Sequence, residues 1–256
     1  MMPQTLRRSA LCVAAALLLL PGAGLACNGD SLGPLASGGR RVLFIGNSLT
    51  YRNDLPRTIA DLARSVNETP LVYRTIAKPD YALEDHWNDG VAASIAKDGW
   101  QLVVMQQGPS SLPANQEFLR IWTVQLNSAI TAAGARSALY MVWPAMQNFS
   151  TYDAVRTSYR NAAIEVSGMF IPAGEAWRTA WAADPALVLY ADDLLHPSPL
   201  GTYVAALVHF EMLYDRPATD LPDVAYVDGV RLDVPAATVA VLQQAAHETV
   251  LAWGIR

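Results

Sequence analysis

From about residue 41 onward, short apolar runs alternate with longer stretches of helical periodicity. The apolar runs are nearly continuous, which predicts strands buried on both faces; they lie at residues 42–45, 71–76, 102–105, 138–142 and 169–171. Apolar residues at helical spacing predict helices between and after these strands. We place these helices at residues 55–66, 83–97, 118–133, 152–166, 198–214 and 235–254.

Strands that alternate with helices of this length indicate βαβ crossovers. The predicted fold class is therefore α/β: a three-layer α/β/α sandwich with a parallel sheet of about five strands. In the helix at 118–133, the apolar residues predict one buried face, formed by Phe118, Ile121, Trp122, Leu126, Ala129, Ile130 and Ala133. Ligands of such sheets bind at the carboxyl ends of the strands.

The first 26 residues have the features of an export signal. Arg7 and Arg8 precede an apolar run at 11–20, and small residues follow at 23–26 as a cleavage site. The run is shorter than the roughly 20 residues that cross a bilayer. A buried N-terminal helix is the alternative, but such a helix would need a polar face, so we predict a signal peptide over 1–26.

Cys27 is the only cysteine left after removal of that segment, because Cys12 lies inside it. A lone cysteine after such a run resembles the lipidation site of bacterial lipoproteins; ordinary cleavage that leaves a free Cys27 is the alternative. Residues 27–40 are rich in Gly, Ser and Pro and predict a flexible tether. Residues 41–256 have the length of one domain. We expect an exported envelope lipoprotein, or a secreted protein if Cys27 is not lipidated.

The charge balance argues against a nucleic-acid partner, and the lack of known binding motifs argues against a metal or organic cofactor. The formal net charge is −5, and the sequence has no Lys/Arg-rich run that could neutralise phosphates, so we expect no nucleic-acid binding. Neither a zinc signature nor a glycine-rich phosphate loop is present in the sequence. We therefore expect neither a metal nor an organic cofactor, and membrane contact only through the N-terminal lipid.

Two sites carry the candidate chemistry. Ser48 directly follows the first predicted strand, where a tight turn would present its hydroxyl; a helix cap is the alternative role. Asp193 and His196 are three residues apart near the C-terminus, so both side chains can lie on the same side of a turn. Such a carboxylate can accept a hydrogen bond from the His Nδ1–H and leave Nε2 free to take a proton from a serine.

At these residues the chain resembles the SGNH/GDSL hydrolase superfamily. Residues 42–50 (VLFIGNSLT) are similar to the family's first block, and residues 193–203, from Asp193 and His196 through PSPLGTY, to its last block. The resemblance implies an SGNH (flavodoxin-like) fold, Ser48 as nucleophile, His196 as base and Asp193 as its partner. In its divergent middle blocks, the chain resembles a branch of exported bacterial members of the family.

The middle blocks depart from the family pattern. The resemblance implies an oxyanion hole made of the Ser48 N–H, a second-block N–H and a third-block side chain. Asp80 occupies the second-block position, and Ser110 occupies the third-block position where the family has asparagine, with Gln107 as the neighbouring amide. We expect Ser110 to be the donor ahead of Gln107. Three further residues are expected to bind substrate, namely Asn47, His86 and Gly108, although His86 could instead lie on a helix surface.

The sequence favours a serine ester hydrolase that forms an acyl-enzyme. Its predicted partner is a small-molecule or carbohydrate ester, and the protein is expected to be a monomer. An O-acyltransferase with the same site is one alternative. A lipid-anchored binding protein on a degenerate hydrolase fold is another, favoured by the altered middle blocks but disfavoured by the intact Ser, His and Asp set.

Overall fold

A parallel five-stranded sheet forms the centre of the molecule. The computed structural model describes residues 38–256; the predicted signal peptide, Cys27 and most of the predicted tether lie outside the described residues. The sheet strands are β1 (Arg40–Gly46), β2 (Leu71–Ala77), β3 (Leu102–Met105), β4 (Arg136–Tyr140) and β5 (Met169–Ile171). Their order is β2-β1-β3-β4-β5, and every neighbouring pair is parallel.

Helices cover both faces of this sheet. They are α1 (Ser48–Tyr51), α2 (Leu55–Ser65), α3 (Leu83–Asn88), α4 (Val91–Ile95), α5 (Pro113–Ala132), α6 (Tyr152–Glu165), α7 (Ala173–Ala183), α8 (Pro199–Tyr214) and α9 (Ala236–Trp253). One group packs around α5, namely α3, α4 and α6, and the other packs around α8, namely α2, α7 and α9. The predicted three-layer α/β/α sandwich with a five-stranded parallel sheet is thus confirmed.

The strand order fixes where a ligand can bind. The chain leaves β1 toward β2 on one side, and β3 then joins the other side of β1. Crossovers that diverge in this way open a crevice above the carboxyl ends of the two central strands. Ile45 and Met105 are register partners, so the segments that follow β1 and β3 begin side by side.

Several helix boundaries follow directly from capping residues. Asp54 caps α2 through a hydrogen bond from the Arg57 N–H (3.2 Å), and Ser198 caps α8 through one from the Gly201 N–H (3.0 Å). Pro199 occupies the first turn of α8, where its missing N–H costs nothing. Both helices begin within one residue of the starts predicted from the sequence, at residues 55 and 198.

Other predictions about the elements are wrong. The helix predicted over 83–97 is two helices, because Gly90 adopts a left-handed conformation (φ 80°) between them. The helix α7 and a small hairpin of β6 (Tyr226–Val227) and β7 (Val230–Arg231) were not predicted. The strand predicted at 138–142 begins and ends two residues earlier, and Arg40, assigned to the tether, is the first residue of β1.

The buried face of α5 also differs from the predicted one. Leu119, Thr123, Leu126 and Ile130 are buried, whereas Ile121 is 46% exposed. The helix carries apolar residues around much of its circumference, so its periodicity alone does not decide which side faces the sheet. Packing against α6 and β4 makes that choice.

Candidate active site

Ser48 lies on the tight turn that follows β1. The strand ends at Gly46, Asn47 is the N-cap of α1, and Ser48 is the first helical residue. The Leu49 N–H donates to Asn47 Oδ1 at 3.1 Å, which caps the helix. A Cβ at Gly46 would lie 2.5 Å from Gln106 Oε1, so only glycine lets the strand turn this closely against its neighbour. Asn47 and Leu49 are buried, whereas Ser48 is partly exposed.

A buried amide that follows β3 holds this turn. Gln106 Oε1 accepts hydrogen bonds from the Asn47 N–H (3.0 Å) and the Thr50 hydroxyl (2.7 Å). Its Nε2 donates to Asn47 Oδ1 (3.0 Å) and to the Gln107 carbonyl (2.5 Å). The side chain has no exposed surface, and every donor and acceptor position of the amide is used. Gln106 was not predicted as a site residue from the sequence; the available signal was a polar residue directly after an apolar strand.

The loop between α7 and α8 carries Asp193 and His196. It is closed by an antiparallel bridge between Tyr190 and Pro197. Asp193 Oδ1 accepts hydrogen bonds from the N–H groups of Leu195 (3.1 Å) and His196 (2.8 Å). Such a side-chain-to-backbone turn fixes the carboxylate relative to the imidazole.

Residues that follow β4 support this loop from the sheet side. Trp143 Nε1 donates to the Leu195 carbonyl (3.0 Å), and the Met146 N–H donates to the Leu194 carbonyl (2.9 Å). The Trp143 ring is buried and stacks on Trp177 with 3.6 Å between ring centroids. The loop therefore rests on a rigid aromatic core.

Ser48, His196 and Asp193 form one chain of hydrogen bonds. His196 Nε2 lies 2.8 Å from Ser48 Oγ, and His196 Nδ1 lies 2.6 Å from Asp193 Oδ2. The imidazole is largely buried, whereas the carboxylate is 44% exposed. The structure thus brings together the three side chains that the sequence singled out.

The hydrogen bonds to Asp193 determine its charge. The bond from the His196 side chain, with those from the N–H groups of His196 and Leu195, lowers the pKa of Asp193 to about 2. The carboxylate is therefore ionised at neutral pH and can accept the Nδ1–H of the imidazole. In that tautomer, the Nε2 lone pair points at the Ser48 hydroxyl.

An open cavity of about 410 Å³ lies over Ser48. The carboxyl ends of β1, β2 and β3, the start of α5 and the histidine loop all contribute to it. Its lining residues are Asn47, Ser48, Leu49, Asp80, Tyr81, Ala82, Gln107, Gly108, Pro109, Ser110, Asn115, Phe118 and Leu195. Asn115 and Phe118 were not predicted as site residues, because nothing in the local sequence links α5 to this edge of the sheet. Tyr81, which follows Asp80 in the loop after β2, was not predicted either.

The expected oxyanion donors all line this cavity, but their side chains are not equally free. The Ser110 hydroxyl donates its single hydrogen to the Gly108 carbonyl (3.0 Å) and accepts one from Gln107 Nε2 (2.9 Å). Gln107 Oε1 accepts from the Leu83 N–H (3.2 Å), so the amide orientation is fixed with one Nε2 hydrogen unused. This geometry contradicts the predicted ranking of the two oxyanion donors, because Gln107 has a hydrogen available for a ligand and Ser110 has none.

Backbone donors are also available at the cavity. Ser48 is the first residue of α1, so its N–H has no partner within the helix. The Asp80 N–H likewise has no acceptor in the part of the chain that the structure describes. Asp80 adopts a left-handed conformation (φ 60°) at the turn after β2.

Of the three expected substrate-binding residues, Asn47 and Gly108 line the cavity. Asn47 Oδ1 already accepts from the Leu49 N–H and Gln106 Nε2, and Asn47 Nδ2 donates one of its two hydrogens to the Tyr81 carbonyl. The prediction for His86 is wrong. Its ring is 1% exposed, and its Nε2 lies 2.7 Å from the Gly46 carbonyl beneath the nucleophile turn. Burial lowers the pKa of His86, so it is a neutral internal support rather than a contact to substrate.

Neither a metal-ligand cluster nor a membrane-spanning helix occurs within residues 38–256. The described side chains include no group of three or more His, Cys, Asp or Glu that could hold a metal ion. No helix in this part of the chain combines the length and hydropathy needed to cross a membrane.

Solved structures with this architecture include a candidate SGNH hydrolase and an acetylxylan esterase. The fold matches a candidate SGNH hydrolase from Slackia heliotrinireducens at 26% identity and a TM-score of 0.58, covering 68% of this chain and 98% of that one. By its fold, this chain belongs to the SGNH/GDSL hydrolase superfamily. The resemblance predicted from the two end blocks is therefore confirmed.

Two other solved structures share the architecture at lower sequence identity. A DUF4886 family protein from Bacteroides uniformis has 19% identity and a TM-score of 0.68, with 83% of this chain and 95% of that one covered. A catalytic variant of an acetylxylan esterase from Geobacillus stearothermophilus has 15% identity and a TM-score of 0.51, with 69% and 94% covered. No protein-family model matches this SGNH chain, and no curated protein sequence matches it either.

Proposed function

We propose that this protein is a serine ester hydrolase with Ser48 as nucleophile. The observation that carries the proposal is the hydrogen-bonded chain from Ser48 through His196 to Asp193 at the floor of an open cavity. The membership in a hydrolase superfamily supports it. Nucleophile, base and orienting carboxylate within hydrogen-bond distance are the geometric requirement for acyl transfer.

The proposed reaction proceeds in two steps. Ser48 Oγ attacks the ester carbonyl carbon while its proton passes to His196 Nε2; the imidazolium then protonates the departing alcohol oxygen as the C–O bond breaks. Water attacks the resulting acyl-serine, again giving its proton to His196, and the acid leaves as Ser48 recovers its hydrogen. The Asp193 carboxylate stabilises the imidazolium in both steps.

The oxyanion of each tetrahedral intermediate needs donors that are free before the reaction. We assign this role to the Ser48 and Asp80 N–H groups and to the unused Nε2 hydrogen of Gln107, because each lacks an acceptor or retains a hydrogen. A preorganised donor of this kind typically contributes about 3 kcal/mol to transition-state stabilisation.

The cavity lining favours a neutral substrate. Among residues 38–256, Asp80 is the only charged residue that lines it, so an anionic alcohol group such as a phosphorylated one would meet one carboxylate and no cation from this part of the chain. The Asp80 and Asn115 side chains have no hydrogen-bond partner among the described residues, and the rings of Tyr81 and Phe118 lie in the same lining. Free polar groups beside aromatic rings suit a hydroxylated neutral alcohol, so we propose a short acyl ester of a carbohydrate; one of the fold neighbours is an acetylxylan esterase.

The proposal is tested with the full chain, a fluorophosphonate probe and p-nitrophenyl acetate. Wild type should label at Ser48 and hydrolyse the ester; Ser48→Ala should do neither while keeping the wild-type melting temperature. Ser128→Ala, a serine on the exposed side of α5, serves as the matched control and should behave as wild type. Absence of labelling and turnover in the wild type would support the alternative of a binding protein.

Comparison of acceptors and substrates refines the function. Acetylated xylo-oligosaccharide should be cleaved in preference to an acidic phospholipid. Release of free acetate in water identifies a hydrolase, whereas acetyl transfer to an added sugar would favour the O-acyltransferase.

We further propose that the protein is exported and lipidated at Cys27, on the sequence evidence alone. Mass spectrometry of the protein made by its own export route should find a diacylglyceryl-modified N-terminal Cys27. An unmodified Cys27 at the N-terminus would instead indicate a secreted protein.

A further inference from the structure

Asn53 connects the segment that carries Ser48 with the segment that carries His196. Its Nδ2 donates one hydrogen bond to the Pro197 carbonyl (3.1 Å) and another to the Thr202 hydroxyl (2.8 Å). Pro197 directly follows His196 in the chain, and Thr202 lies in the first turn of α8. Both hydrogens of one amide group are therefore used to join two parts of the chain that lie far apart in sequence.

This link is unusual among the hydrogen bonds of the site. Within residues 38–256, only the Ser48–His196 bond itself and the two bonds of Asn53 join the stretch 47–54 to the stretch 189–202. The nucleophile turn is otherwise held by β3, through Gln106, and by β4, through the Tyr140 hydroxyl on the Leu49 carbonyl (3.3 Å). The histidine loop is held by residues that follow β4. Each segment is thus anchored separately, and Asn53 connects them.

The backbone around Asn53 is arranged for this contact. Asn53 (φ 54°, ψ 23°) and Asp54 (φ 44°, ψ 63°) are two consecutive residues in the left-handed region. Side-chain-bearing residues avoid that region, although Asn and Asp tolerate it best. The double turn reverses the chain after α1, directs the Asn53 amide at Pro197 and lets Asp54 cap α2. Strained backbone of this kind persists where the surrounding contacts require it.

We infer that Asn53 is a positioning residue that fixes the distance between the Ser48 hydroxyl and His196 Nε2. The inference rests on the proposed function, because it assigns Asn53 a role in that proton transfer. Asn53 is not among the residues that line the cavity, so it acts through the two segments and not on the substrate. A misplacement of about 1 Å between reacting groups can cost about 100-fold in rate.

The test uses Asn53→Gly in the full chain. Glycine adopts the left-handed conformation freely but removes both hydrogen bonds. We expect kcat for p-nitrophenyl acetate and the rate of fluorophosphonate labelling to fall about 10- to 100-fold. KM should change less than about twofold, since the cavity lining is intact.

Asn67→Gly is the matched control. Asn67 also has a positive φ (56°), but it is exposed and its side chain has no hydrogen-bond partner in the described part of the chain. This variant carries the same change in backbone entropy and should keep wild-type kcat and KM. Thr202→Val is a second test variant, because it removes one of the two acceptors of the Asn53 amide. It should lower kcat by about 3- to 10-fold, which corresponds to the loss of one hydrogen bond.

The outcomes separate the inference from the proposed function. Wild type that labels at Ser48 while Asn53→Gly and Thr202→Val retain its kcat overturns the inference alone. A lower melting temperature with unchanged turnover per labelled active site also overturns it, because the role is then only structural. Wild type that neither labels nor hydrolyses overturns both, since no nucleophile–base pair would exist for Asn53 to position.

Discussion

At the scale of single residues, the site depends on which hydrogen bonds are already occupied. Ser110 stands where the family has its asparagine, but its only hydrogen is donated to the Gly108 carbonyl. Gln107 is held by the Leu83 N–H and keeps one hydrogen for a ligand. Which of the two side chains has a hydrogen available at the cavity therefore depends on the hydrogen bonds that it already makes, and not on its position in the third sequence block.

Two variants distinguish these donors. Gln107→Glu keeps the acceptor for the Leu83 N–H and loses the donor, so kcat should fall about 100- to 1,000-fold. Ser110→Ala should lower kcat less than about threefold, because its hydroxyl hydrogen is directed elsewhere. Steady-state kinetics on p-nitrophenyl acetate measure both, and the reverse ranking would restore Ser110 as the donor.

The ionised Asp193 leads to a second prediction. Asp193→Asn should lower kcat by about 1,000-fold or more, because a neutral amide no longer holds the Nδ1–H tautomer or stabilises the imidazolium. The pKa of Asp193 is about 2, so the wild-type carboxylate stays ionised from pH 4 upward. Wild type should accordingly keep a large advantage in kcat over the variant throughout pH 5 to 8; equal kcat values at pH 5 would contradict an ionised Asp193.

At the scale of elements, the site is the point where β1 becomes α1. Gly46 permits this transition because its missing Cβ leaves room for Gln106 Oε1 and the Thr50 hydroxyl. The conformation at Gly46 is not left-handed, so the requirement for glycine here is one of space.

Gly46→Ala should therefore damage activity more than stability. The added methyl group must displace Gln106, which would release the Asn47 N–H and move Ser48. Overpacking of this kind costs about 1–3 kcal/mol in the free energy of unfolding, while kcat should fall by at least about 10-fold. Urea unfolding and ester hydrolysis measure the two effects; an active variant of wild-type stability would contradict the crowding seen at this turn. Gly108→Ala, where a Cβ would have open space, is the matched control for stability.

At the scale of the whole molecule, α8 is the central buried helix, and it contains an internal imidazole. His209 is fully buried between the rings of Phe44 and Tyr140, with its Nδ1 2.8 Å from the Ala205 carbonyl. Burial lowers the pKa of His209 to about 4. Its Nε2 has no hydrogen-bond partner among the described residues, so a proton there would be uncompensated.

The global stability should consequently fall as the pH decreases below about 6.5. In that range the unfolded chain binds a proton at His209 and the folded chain does not until about pH 4, so protons favour unfolding. From pH 6 to pH 5, His209 should account for a loss of roughly 1 kcal/mol. Urea unfolding at both pH values gives the slope of the free energy of unfolding against pH for wild type and for His209→Leu. The difference between the two slopes does not depend on the cavity that the substitution leaves. Equal slopes would show that His209 is not a neutral buried group.

Local patterns in the sequence determined much of this protein. Short apolar runs and capped helices gave the α/β/α class, the five strands and the ends of α2, α8 and α9, because burial periodicity and capping act over a few residues. Ser48, Asp193 and His196 could likewise be predicted as candidate site residues, since the position of Ser48 at a strand end and the close spacing of Asp193 and His196 are local features of the chain.

The tertiary structure alone decided how these parts meet. Ser48 and His196 are 148 residues apart, and Gln106 lies 59 residues from the Asn47 that it holds. The burial of His86 against Gly46, the bond between Gln107 and Leu83 and the link made by Asn53 are also contacts between segments that lie apart in the sequence. No local periodicity encodes such contacts, because they depend on which strand ends become neighbours in the sheet and on which donors the packed chain leaves unused.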